Sequence, residues 1–89
     1  MRETTVENKV KAMVKVLGGL CLKFVSPGFT GVPDRIILLP GARIIFAEIK
    51  APGEKPRPRQ KRVHEQLRRL GFTVLVIDDA DKFWEEVSQ

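Results

Sequence analysis

Apolar residues recur along the start of the chain at the spacing of a helix. Val6, Val10, Met13, Val14 and Leu17 fall on one face, and the pattern predicts a helix over about 4–17. Thr4, with Glu7 three residues later, reads as a capping box at its start. Gly18-Gly19 supplies a left-handed cap at its end. The period then shortens. Residues 20–25 form an apolar run rich in strand formers, with Cys21 expected inside it as small core filler. Ser26-Pro27-Gly28 and Gly31 mark a loop, 34–39 a second strand, Pro40-Gly41 a turn, and 43–50 a third strand. Strands joined this closely predict an antiparallel meander. After a loop bearing Pro and Gly, a second helix is expected over about 59–70, with Val63, Leu67 and Leu70 as its apolar stripe and Gly71 closing it. A fourth strand over 72–77 then pairs in parallel, because a strand–helix–strand step makes a right-handed crossover. A last helix over 79–87 presents Phe83, Trp84 and Val87. The order α-β-β-β-α-β-α predicts an α/β fold, a mixed β-sheet flanked by helices.

Length narrows this to one domain spanning 1–89, with a small core. The single cysteine leaves no intrachain disulfide and no cysteine-based zinc cluster, and fits a reducing cytoplasm. Arg2, Glu3, Glu7 and Lys9 argue against a secretory signal at the start. No apolar stretch approaches the ~18 residues of a membrane span. Tyrosine is absent, which excludes a tyrosine nucleophile, and the one histidine, His64, excludes a two-histidine acid/base mechanism. No phosphate-binding G-x-x-x-x-G-K-[ST] loop occurs, so no nucleotide cofactor is expected.

The net charge is +5, and it is unevenly spread. Between residues 50 and 69 stand Lys50, Lys55, Arg57, Arg59, Lys61, Arg62, Arg68 and Arg69, opposed only by Glu54 and Glu65. Residues 78–89 are acidic. A basic block beside an acidic tail suggests a polyanion, most simply nucleic acid. Lys55, Arg57, Arg59, Lys61 and Arg62 are the candidate DNA contacts. The plainer alternative is a solvated helix face and a charged loop.

Candidate chemistry lies just before that block. Strand alternation puts Glu48 and Lys50 on one face and turns Ile49 into the core. Asp34 opens the preceding strand, so a hairpin places it beside Glu48. Two adjacent carboxylates repel unless a cation joins them. Oxygen donors without sulfur select Mg²⁺ or Mn²⁺. Lys50 aims a positive charge at the same cavity. A surface ion pair between Glu48 and Lys50 is the competing reading. Gln60 falls on the sheet-facing side of the second helix, where an amide needs partners such as the carboxylate pair. Glu7 is either the N3 residue of its capping box or a group pointing toward the same cavity. His64 sits between stripe and basic face and is expected at the surface, within reach of phosphate.

Gly31-Val32-Pro33-Asp34, then Phe46-Ala47-Glu48-Ile49-Lys50-Ala51, then Gln60, with Gly71 before a closing strand, resemble the VRR-NUC domain. That family belongs to the PD-(D/E)XK superfamily, with a restriction-endonuclease-like core. The resemblance spans Glu7 to Ile77. It implies metal-dependent cleavage of DNA phosphodiesters. Asp34 and Glu48 would hold Mg²⁺ or Mn²⁺ with the backbone carbonyl of Ile49. Lys50 would position the nucleophilic water, Gln60 would orient that group, and Glu7 would contribute through a water or a second metal. Short stand-alone members resemble phage and bacterial proteins acting as homodimers on four-way (Holliday) junctions. Longer members, such as the Fanconi-associated nuclease, cut flaps with extra domains. Pro56 and Pro58 depart from the family pattern just ahead of Gln60. A partner-dependent nuclease subunit and a non-catalytic basic DNA-binding module stand as alternatives.

Overall fold

The computed structural model of the protein describes residues 2–88. Its elements are α1 (Glu3–Val16), β1 (Leu20–Lys23), β2 (Arg35–Leu39), β3 (Arg43–Ile49), α2 (Pro58–Arg69), β4 (Thr73–Ile77) and α3 (Ala80–Val87). The order is the expected one, and the strands form a single sheet, β1-β2-β3-β4. β1, β2 and β3 make the antiparallel meander. β4 joins β3 in parallel, with α2 as the crossover between them. Among the described residues, no helix is long and apolar enough to cross a membrane.

Strand alternation sorts the sheet into two unlike faces. Ile37, Leu39, Ile45, Ala47, Ile49 and Ile77 face α1 and α3. They bury Val6, Val10 and Val14 of the first helix and Ala80, Phe83 and Val87 of the last. Each of these side chains larger than alanine contributes roughly 1.5–3 kcal/mol relative to exposure. The opposite face carries Leu20, Leu22, Ile36, Leu38, Ile44, Phe46, Glu48 and Val74. There α2 packs against β4, and Phe46 meets Phe72 edge-on and Phe24 at a tilt. The β1–β2 half of this face and the start of β3 are left bare, with Leu20, Leu22 and Ile44 exposed.

The helix ends follow local chemistry. At the end of α1, Gly18 N–H donates to Lys15 and Gly19 N–H to Val14, which closes the last turn. Gly18 takes the left-handed φ of +81° that this geometry requires. At the start of α2, Pro58 occupies the first helical position, where its missing N–H costs nothing. Pro58 therefore starts the helix, Pro56 lies in the loop before it, and Gln60 still reaches Glu48.

Three expectations need correction. Thr4 and Glu7 form no capping box, because α1 begins earlier, with Arg2 as N-cap and no side-chain cap bond. Glu7 instead reaches across to Arg35 of β2. Leu70 leaves the α2 stripe: it is the C-cap residue and is 73% exposed. Trp84 is only half-buried, because it sits one residue past Phe83 and so about 100° around the helix. The packing face of α3 is Ala80, Phe83 and Val87.

Candidate active site

The site forms where β2 and β3 run out of pairing. Their register ends at Arg35 opposite Ala47, which leaves Asp34 beside Glu48 one step further on. Asp34 Oδ2 accepts a 3.0 Å hydrogen bond from the Ile49 backbone N–H. A strand residue directs its N–H and C=O to the same side, so the Ile49 carbonyl leaves β3 toward Asp34 as well. The loop delivering Asp34 is held against α2. Gly31 lies at φ +88°, and a Cβ there would stand 3.0 Å from both Arg59 Cγ and Val63 Cγ2. Only glycine allows that approach.

Glu48 is 1% exposed, a rare state for a carboxylate. Gln60 Nε2 donates to its Oε2 at 3.1 Å, and Lys50 Nζ stands 3.6 Å from the same oxygen. Gln60 serves twice, since its Oε1 accepts the Arg57 backbone N–H at 2.8 Å. That second bond fixes the amide orientation, so its NH₂ end faces Glu48. Burial, and then the Asp34 carboxyl within hydrogen-bonding reach, push the Glu48 pKa up to about 7 despite Lys50.

His64 lies elsewhere than its sequence context suggests. It is buried on the sheet side of α2, not at the surface, with Nε2 3.6 Å from Glu48 Oε1. The true stripe of α2 is Gln60, Val63, His64 and Leu67, an i, i+3, i+4, i+7 pattern with two polar members. Burial, reinforced by the nearby positive charges of Arg68 and Lys50, lowers its pKa, against a smaller opposing pull from Asp34.

The structure thus brings together Asp34, Glu48, Ile49, Lys50 and Gln60. Among the described residues, Glu7 makes no direct bond to any of them. Glu7 Oε2 pairs with Arg35 Nη2 at 3.3 Å, and the register partner of Arg35, Ala47, lies in the core under α1. Lys55, Arg57, Arg59, Lys61 and Arg62 are all exposed on the loop and first turns of α2. Arg59 is partly engaged, with its guanidinium 5.3 Å over the Phe29 ring and Nε donating to Thr30 Oγ1 at 3.4 Å.

The donor set fits a hard dication. Two carboxylates and a carbonyl are oxygen ligands, and Mg²⁺ is usually held by one or two carboxylates with water and phosphate completing its shell. Glu48 Oε1 is buried without a hydrogen-bond partner, and burial beside Asp34 disfavours the charged form of Glu48, which a cation would stabilise. Among the described residues, no three His, Cys, Asp or Glu side chains are arranged to chelate an ion unaided.

The likeness to known proteins extends over almost the whole chain. It is 51% identical over 81 residues to "Putative nuclease p44" of Acyrthosiphon pisum secondary endosymbiont phage 1, covering 91% of this chain and 87% of that protein. A solved structure described as a VRR_NUC domain superposes with a TM-score of 0.88 at 33% identity, over 98% of this chain and 95% of the other. No family model matches the chain. A relative matched along most of its length, the same fold, and an Asp34/Glu48/Lys50 cluster at the end of the β2–β3 hairpin lead to one conclusion: the chain belongs to the VRR-NUC family of nucleases.

Proposed function

We propose that the protein is a metal-dependent endonuclease that hydrolyses DNA phosphodiesters. The observation that carries this reading is the buried Glu48 carboxylate set against Asp34, with Lys50 on the same face. Asp34, Glu48 and the Ile49 carbonyl would hold Mg²⁺ or Mn²⁺. When bound, the ion neutralises charge developing on the phosphate oxygens. Lys50 orients the attacking water and stabilises the same developing charge. Gln60, anchored by the Arg57 N–H, keeps the Glu48 carboxylate in one orientation. Glu7, paired with Arg35 next to Asp34, would contribute only through a water or a second metal ion.

The finer substrate reading is a structure-selective enzyme acting as a homodimer on four-way junctions. Cutting two strands symmetrically requires two sites, which a two-fold dimer supplies. The bare sheet face around Leu20, Leu22 and Ile44 supports this, since it is apolar and uncharged in a chain of net charge +5.

Lys50→Ala tests the chemistry. Cleavage should slow by roughly a hundredfold or more, the scale of losing one transition-state donor. Mn²⁺ binding, measured by calorimetry, should survive. Normal turnover in this variant would reduce Lys50 to an ion-pair partner of Glu48.

A further inference from the structure

Two buried polar atoms in the described chain lack a hydrogen-bond partner: Glu48 Oε1 and His64 Nε2. They face each other at 3.6 Å. This is longer than a hydrogen bond, which closes at about 2.7–3.2 Å. An orphaned buried donor or acceptor costs the desolvation of that group, so a single orphan needs an explanation and a facing pair supplies its own. Gln60 and His64 stand four residues apart, one turn along α2. Gln60 already donates to Glu48 Oε2. His64 is placed to do the same for Oε1, and its side chain is 1% exposed, so water does not compete there.

We propose that His64 is a positioning residue for the Glu48 carboxylate. In its Nε2–H tautomer it donates to Oε1, so that α2 grips both carboxylate oxygens and fixes the rotation of the group. The two donors come from one helix and the acceptor from β3, so the docking of α2 on the sheet sets the orientation. Catalytic hydrogen bonds are commonly long before the site is loaded and tighten afterwards, which accounts for the 3.6 Å separation. The role requires a neutral imidazole with its proton on Nε2, and no change in protonation during turnover. It rests on the reading of Glu48 as a metal ligand. Partners that orient a ligand typically alter metal affinity by 10–100-fold when removed.

The experiment compares wild type, His64→Gln, His64→Leu and Glu48→Gln as full chains. Mn²⁺ affinity is measured by calorimetry, and folding is checked by circular dichroism. His64→Leu fills the space without a donor and should bind Mn²⁺ at least tenfold more weakly. His64→Gln restores an N–H at about the same reach and should recover most of that affinity. If His64→Leu fails to fold, the nitrogen spectrum of wild-type His64 decides alone. A slowly exchanging proton on Nε2 in the Mg²⁺-loaded protein supports the proposal, and a proton on Nδ1 overturns it. Wild-type affinity in a folded His64→Leu also overturns it, while Glu48→Gln still losing the ion leaves the metal reading intact. Wild type and Glu48→Gln binding Mn²⁺ equally well would remove the metal reading, and this inference with it.

Discussion

Glu48 carries two opposed demands: a charge where the reaction needs it, and burial where the fold resists it. In the metal-free protein its pKa near 7 lies above the ordinary 4.5, so the folded state holds the proton more tightly than the unfolded chain. That contribution is fully present below 4.5 and is lost as pH rises through 7. The shift corresponds to at most about 3 kcal/mol. Glu48→Gln keeps the shape and lacks the charge. In chelator at pH 8 it should be more stable than wild type by about 1–3 kcal/mol, and the gap should close near pH 4.5. His64, whose pKa is lowered, titrates in the opposite sense, so its contribution is lost as pH falls. Urea midpoints at the two pH values check this. A variant less stable than wild type at both would make the Glu48 charge a structural partner and not a stored cost. The residues that hold this charge were unevenly legible in the sequence. Asp34 beside Glu48, and Lys50 on its face, follow from hairpin parity alone. His64 does not, because a polar residue on a basic helix is buried only where a distant strand offers it a partner.

At the scale of elements, the sequence is most readable where one period governs. Val6, Val10 and Val14 repeat every four residues, and all are buried. The strands alternate, and their register follows. Boundaries held because Gly18, Pro58 and Asp79 have local reasons to be where they are; Asp79, for instance, caps α3 by accepting from the Asp81 and Lys82 N–H groups. Elements misread were those decided across the chain. Glu7, open in the sequence to a capping role or to the cavity, is not a cap: it pairs with Arg35, 28 residues on. On helix α2 the sequence places Gln60 alone among polar residues on the sheet-facing side, yet His64 joins it there, so half of the inner stripe is polar. Its outer face remains the candidate DNA contact. Arg57 and Arg62 are exposed there, whereas Arg59 already stacks on Phe29. Changing Arg57 and Arg62 together to Ala should flatten the slope of log affinity against log salt by up to about two units on duplex DNA. Affinity should fall alike on every sequence, because such contacts position phosphates and do not read bases. An unchanged slope in the salt titration would place the DNA path on another face.

The whole molecule is asymmetric in what covers its sheet. One face is sealed by two helices. The other is covered only over β4 and the later part of β3, where α2 also completes the site. On the proposed homodimer reading the bare remainder would seat the second copy, and a charge placed there should break the dimer. Leu22→Glu puts a charge on the exposed face at little cost to the fold, since Leu22 is 45% exposed. Wild type should scatter light as a particle of twice the chain mass, and the variant as a single chain. A wild-type monomer at all concentrations would favour a partner-dependent nuclease over a junction resolvase. The most direct test of the account is cleavage of a four-way DNA junction by wild type and Glu48→Gln, each with Mg²⁺ and with chelator. Wild type should cut only with the ion, and Glu48→Gln should bind the junction about as well and leave it intact. Cleavage by Glu48→Gln at the wild-type rate, or by wild type in chelator, would contradict it.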